Sequence, residues 1–186
     1  DFPRDRTTVI EPTYLEGLSD QRGAVRQALK SPLGAAPLGT LVRPEQTVAI
    51  SVCDVTRPMP SETVLPVVLE HLRHIPPEQI AILIASGTHR ATTRAELVEM
   101  LGAEIVNHNR IVVHDAFDDT QLVSLGHVEG DVPVWLNRTW TEADVRITTG
   151  FVEPHFFAGF SGGPKIESPG LAGFDTIMQL HSAKLI

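Results

Sequence analysis

Two hydrophobic rhythms alternate along the chain. Residues 47–53 (TVAISVC) and 80–86 (IAILIAS) are short, continuous apolar runs rich in Val, Ile and Ala, the composition of strands buried on both faces of a parallel sheet. Residues 145–150 (VRITTG) predict a third, less apolar strand, and residues 110–114 (RIVVH) another. Between the first two runs, "SETVLPVVLEHLRHI" sets Val64, Val67, Val68, Leu72 and Ile75 at helical spacing, and Pro66 fits that helix best in its first turns. Strand, helix and strand make a βαβ unit. A second helix is predicted over 93–101, where Thr93 and Glu96 match a capping box ahead of Leu97, Met100 and Leu101. An earlier helix is predicted over about 20–30, ended by "SPLG". Residues 121–137 read differently, because two alternating segments flank "EGD" and so predict a β-hairpin. The expected fold is α/β, a three-layer domain with a mainly parallel sheet and an added β-hairpin. Its loops should gather at the carboxyl ends of the strands, where such folds place ligands.

Three of the predicted strands run into loops of unusual content. After residues 47–53 comes "CDVTRPMP", with Asp54, Thr56 and Arg57 at the sheet end. Arg57 can give a carboxylate or phosphate a two-point grip; the same residues read equally well as an Asp-Arg ion pair tying down a proline-rich turn. After residues 80–86 comes "SGTHRATT", which offers Thr88 and, beside Arg90, His89. A histidine there suits proton transfer, although a lone loop histidine is more often a turn or cap residue. After residues 145–150 comes "FVEPHFFAGFSGGPK", which adds His155, an apolar wall in Phe156 and Phe157, and a loop of Ser161, Gly162 and Gly163 whose amides suit a phosphate at the start of a following helix. The spacing is not that of a Walker A loop, since Ile166 follows the lysine. Lys165 therefore reads as a phosphate counter-charge or as a covalent attachment point. His181, in "TIMQLHS", reads by itself as an ordinary amphipathic helix position.

Composition narrows the classes. With 15 Lys and Arg against 23 Asp and Glu, the formal charge is −8, and no basic run interleaved with aromatics offers a nucleic-acid surface. No apolar run reaches the roughly 18 residues of a membrane span, and no signal segment opens the chain. The one cysteine, Cys53, excludes an internal disulfide and fits a buried position in a cytoplasmic protein. The first residue is Asp1 and the last segment stops in a helical pattern without a stop signal, which predicts a piece of a longer protein.

The stretches "SVCDVTRPMP", "ASGTHRATT", "GFVEPHFFAGFSGGPK" and "PGLAGFDTIMQLH" occur in this order and resemble the N-terminal domain of the nickel-dependent lactate racemase family. That resemblance implies a single cofactor-binding domain over residues 1–186, the N-terminal part of a two-domain protein whose C-terminal domain closes over the site. It implies as cofactor a nickel pincer nucleotide, a pyridinium mononucleotide with sulfur-bearing arms, supplied by separate biosynthetic enzymes and tethered to Lys165. His181 would ligate nickel, and Asp54, Thr56, Thr88 and the loop of Ser161, Gly162 and Gly163 would surround the nucleotide. Arg57 would hold the carboxylate of a small 2-hydroxy acid while His89 and His155 act as acid and base in a racemisation or epimerisation by hydride transfer. A non-catalytic nucleotide-binding module, and a zinc hydrolase built on His89, His155 and His181, are the alternatives that the residues leave open.

Overall fold

The computed structural model describes residues 2–128 and 131–185. In chain order it contains α1 (Gln21–Lys30), α2 (Leu38–Leu41), β1 (Val48–Cys53), α3 (Ser61–His71), β2 (Ile80–Ala85), α4 (Arg94–Leu101), α5 (Ala103–His108), β3 (Arg110–Val113), β4 (Leu122–Val128), β5 (Val132–Asn137), α6 (Arg138–Thr141), β6 (Val145–Thr148), β7 (Pro154–His155), β8 (Gly159–Phe160), α7 (Pro164–Glu167) and α8 (Phe174–Leu180). The main sheet has the order β3-β2-β1-β6 and all its pairings are parallel. The chain steps outward from β1 to β2 and β3, then returns to the other side of β1 as β6. This reversal opens a crevice at the carboxyl ends of β1, β2 and β6, the position that doubly wound sheets use for ligands.

The period of two along β1 and β2 sorts their side chains into two cores. Ile50, Val52, Ile82 and Ile84 face Leu65, Val68 and Leu72 of the α3 region and Leu97, Leu101 and Ile105 of α4 and α5. The opposite face carries Ala49, Ala81 and Leu83, packed with Trp140 and Leu171. Small residues on that face leave room for the indole, which is 1% exposed. Together the two cores give the three layers that the sequence predicts.

Helix ends follow local chemistry. Asp20 caps α1 through a 2.8 Å bond from the Gly23 amide. The capping box of α4 is complete, since Thr93 Oγ1 accepts from the Glu96 amide and Glu96 accepts from the Thr93 amide at 2.8 Å. Pro66 lies inside α3, in its second turn. The carbonyl it leaves without a helical donor, that of Glu62, accepts instead from Arg22 Nη2 of α1 at 3.4 Å.

The hairpin is present as β4 and β5, paired antiparallel with a shift in register between Ser124 and His127; Glu129 and Gly130 of its predicted turn lie outside the described residues. It packs on α8, where Thr176 Oγ1 accepts from the Trp135 amide at 2.9 Å and donates to the Pro133 carbonyl at 2.8 Å. Buried His114 ties these parts to β3. Its Nε2–H donates to the Ala172 carbonyl at 2.9 Å, and its Nδ1 accepts from Asn137 Nδ2 at 3.2 Å. Two helical expectations change. The helix after the glycine loop, α7, is one turn long, because Ser168 precedes Pro169 and is held extended at φ −134° and ψ 116°. The terminal helical pattern ends at Leu180, where the amide and the ring Nδ1 of His181 both donate to the Ile177 carbonyl. Among the described residues no helix is long and apolar enough to cross a membrane.

Candidate functional site

A cleft of about 350 Å³ lies at the carboxyl ends of β1 and β2, closed on one side by the segment that follows β6. Arg57, His89, His155, Lys165 and His181 all line it, as do Asp54, Thr56, Thr88, Ser161 and Gly162. Gly163 does not; it faces solvent at φ +50° as the residue before α7.

The loop after β1 presents Asp54, which is 4% exposed. Its Oδ1 accepts from Thr56 Oγ1 at 2.6 Å and from the Thr56 amide at 3.2 Å, and its Oδ2 lies 2.6 Å from His89 Nδ1. The partner of Asp54 is therefore not Arg57, as sequence reasoning offered, but His89 of the next strand's loop, through a hydrogen bond. Arg57 instead meets Glu153, at 3.5 Å, and its contacts to the Thr56 carbonyl and hydroxyl are as long. The neighbour of His89, Arg90, points to Glu96, whose carboxyl pKa is lowered to about 2 by that hydrogen bond and by those from Thr93.

The segment after β6 folds back on itself because two glycines permit it. A Cβ on Gly150 would stand 2.9 Å from Gly162 Cα and 3.0 Å from Ile166 Cγ1, and Gly162 adopts φ +75°. Ser161 completes the closure by donating to the Phe151 carbonyl and accepting from the Glu153 amide. Its hydroxyl is thus engaged with the loop's own backbone. Between these ends β7 and β8 form a two-residue ladder that the sequence did not suggest. At its tip His155 Nδ1 accepts from the amides of Phe157 and Ala158, each at 3.2 Å. Burial, then Lys165 and Arg57, lower the His155 pKa. Phe157 stacks edge-on against the His181 ring at 5.6 Å between centroids, while Phe156 is 92% exposed at the rim.

Lys165 stands half-buried on α7 with no hydrogen bond or ion pair to its ammonium among the described residues. Burial and, next, Arg57 push its pKa below the ordinary lysine value. Its backbone is pinned on both sides, the amide donating to the Gly162 carbonyl and the carbonyl accepting from the Gly170 amide. His181 donates Nδ1–H to the Ile177 carbonyl at 2.7 Å, which leaves Nε2 as a lone-pair donor. Cys53 is free, buried and part of the lining, and burial raises its thiol pKa. Sequence reasoning missed Glu153, whose only signal was a carboxylate two positions before His155.

A parallel α/β sheet with cationic and imidazole side chains converging at its switch point places the chain among doubly wound α/β domains, with a candidate ligand site where such folds put one. Within that class the chain belongs to the lactate racemase family: residues 2–186 match the family described as Lactate racemase N-terminal domain. It is 42% identical over 175 residues to the lactate racemase of Lactiplantibacillus plantarum, covering 94% of this chain and 41% of that protein. It is 36% identical to the lactate racemase of Thermoanaerobacterium thermosaccharolyticum with the same coverage. The solved apoprotein of lactate racemase from T. thermosaccharolyticum superposes with a TM-score of 0.84 at 35% identity, over 88% of this chain and 40% of that one. A Thermotoga maritima protein of known structure shares the fold, with a TM-score of 0.72 at 24% identity over 90% of this chain and 42% of its own. The chain spans about two fifths of the length of the curated relatives it matches.

Proposed function

We propose that this chain is the cofactor-carrying N-terminal part of a cytoplasmic racemase or epimerase of a 2-hydroxy acid, lactate or a near analogue, that works with a lysine-tethered nickel pincer nucleotide. The observation that carries the reading is the convergence of Arg57, His89, His155, Lys165 and His181 on one cleft, in a member of the lactate racemase N-terminal domain family.

Two features of the residues suit such a group. Among the described residues the Lys165 ammonium has no hydrogen-bond or ion-pair partner to give up, and its lowered pKa enlarges the share of free amine that an amide-type bond needs. His181 has its Nδ1–H fixed on a carbonyl, the arrangement that orients a metal-bound imidazole and leaves Nε2 for the metal. Lys165 would hold the group covalently, His181 would ligate its nickel, and Thr56, Thr88 and Gly162 would flank the nucleotide. When bound, the group supplies a centre that takes hydride from the substrate carbon and returns it.

The rest falls to the chain's own side chains. Arg57, held only by long contacts, exchanges Glu153 for the substrate carboxylate and so fixes the reacting carbon. His89 and His155 handle the hydroxyl proton at Nε2, one for each enantiomer. Phe156 and Phe157 supply the apolar rim that limits water once the cleft is covered. A zinc hydrolase on His89, His155 and His181 has less support, since among the described residues no three His, Cys, Asp or Glu side chains stand where they could share one metal ion.

The test is intact mass and metal content of the protein co-produced with the cofactor's biosynthetic enzymes, beside Lys165→Ala. The expected result is an adduct with bound nickel that the variant lacks. An unmodified mass, with a known lactate racemase loaded in the same cells, would leave the non-catalytic nucleotide-binding module as the better reading.

A further inference from the structure

His89 and His155 are held by chemically opposite partners. The partner of His89 Nδ1 is a carboxylate oxygen, Asp54 Oδ2, at 2.6 Å. A carboxylate oxygen accepts, so Nδ1 carries the proton and the neutral ring offers a lone pair at Nε2. The partners of His155 Nδ1 are two backbone amides, those of Phe157 and Ala158. Amides only donate, so this Nδ1 is bare and the ring's proton sits on Nε2. Neither Nε2 has a hydrogen-bond partner among the described residues, and both rings line the cleft.

From this we infer that the two histidines enter the reaction in complementary proton states, His89 as acceptor and His155 as donor, with Asp54 and the turn amides of Phe157 and Ala158 as the positioning groups. The inference rests on the racemase reading for its meaning and on hydrogen-bond chemistry alone for its content. A hydroxy acid whose hydroxyl faces His89 meets a ready base: Nε2 takes the O–H proton and the resulting imidazolium keeps its Nδ1–H on Asp54. Loss of that proton together with the carbon-bound hydride, which the tethered group would accept, leaves a keto oxygen to which His155 Nε2–H can donate a hydrogen bond; to give the proton up, the ring must first take one at Nδ1.

Proton exchange at His155, in either direction, needs a rearrangement. His155 becomes an acceptor at Nε2 only when its proton moves to Nδ1, and it becomes an imidazolium only by adding a proton at Nδ1. Either change sets an N–H against the amides of residues 157 and 158, so the β7–β8 turn has to release the ring. The charged and titratable groups around that ring are Arg57, Glu153, Lys165 and His181, none of which replaces the amides as a partner of Nδ1. A hydroxyl facing His89 thus meets a base already prepared, whereas His155 has to leave the turn amides before it can take a proton from the substrate oxygen or return one to it.

The experiment is long-range 1H–15N NMR of the imidazole-labelled protein at neutral pH, with His89→Gln and His155→Gln to assign the two rings. The expected spectrum shows a protonated Nδ1 and a pyridine-type Nε2 for His89, and the reverse for His155. In Asp54→Ala, His89 shifts toward the Nε2–H form while His155 is unchanged; Asp54→Glu restores the original tautomer. The buried Nε2–H ring of His114 reports in each sample that the fold is intact. Like tautomers in both rings, or a folded Asp54→Ala protein in which His89 does not respond, would overturn the inference. No cofactor or turnover enters the measurement. Opposite tautomers in a protein that fails to take the adduct would sink the racemase reading alone, whereas like tautomers in a loaded racemase would sink only the asymmetry.

Discussion

Arg57 shows how much a single side chain's geometry can decide. Its guanidinium sits 3.5 Å from Glu153, too long to be a strong ion pair and close enough to keep it aimed into the cleft. Lysine at this position keeps the charge but loses the planar fork, and charge-assisted hydrogen bonds are worth about 1.5–3 kcal/mol. In the loaded enzyme, Arg57→Lys is expected to raise KM for the hydroxy acid about 10- to 100-fold while kcat falls less, read from initial rates with each enantiomer. An equal fall in kcat with KM unchanged would place Arg57 away from the substrate carboxylate. Of the site's residues, the types were legible in three loops of the sequence, but their partners were not. Asp54 invited pairing with Arg57, three residues away, and meets His89 instead, because parallel pairing of β1 with β2 sets the ends of the two strands side by side.

Two elements carry most of the site's shape. The turn-back after β6 depends on Gly150 having no Cβ, since one would stand 2.9 Å from Gly162 Cα. Gly150→Ala forces a methyl group into backbone and Ile166, an overpacking that typically costs about 1–3 kcal/mol. The expected outcome is a lower denaturation midpoint, together with reduced adduct formation at Lys165 because α7 is displaced; full loading at wild-type stability would show that the closure is dispensable. The second element is the junction of β3, β5 and α8 at His114. Burial lowers this imidazole's pKa, and both ring nitrogens are engaged in a way that only the neutral form satisfies. Above the ordinary histidine value of about 6.5 it is neutral folded or unfolded, and its contribution is intact. As pH falls below that value the unfolded chain takes up the proton first and stability is lost, down to the folded pKa. The melting temperature should therefore drop between neutral pH and pH ~5, and His114→Gln should lower stability overall while flattening that part of the profile. His155, whose pKa is lowered as well, adds a slope of the same sign in both proteins, so the difference isolates His114.

At the scale of the whole molecule, the cleft is open at the rim where Phe156 and Phe157 stand exposed, and the relatives are more than twice as long as this chain. On the proposed reading, the chain by itself takes the Lys165 adduct but racemises at less than about a hundredth of the rate of a two-domain relative, the loss expected when reacting groups are not held in register. Racemisation by the chain at a relative's rate would mean that these loops alone complete the site. The sequence by itself determined the parallel strands, the α4 capping box, the hairpin and the three loops of unusual content, because each of these is written in neighbouring residues: continuous apolar runs, alternating segments around a turn, a cap three positions from its partner, glycines beside a lysine. It missed the β7–β8 turn and the single-turn length of α7, since each is settled by a contact or a clash outside the local pattern. Only the tertiary structure decided which side chains meet. His89 on Asp54, Glu153 on Arg57, and the opposite tautomers of the two histidines follow from a parallel register and a folded-back loop that bring together residues as far as 96 positions apart, a separation across which local patterns carry no information.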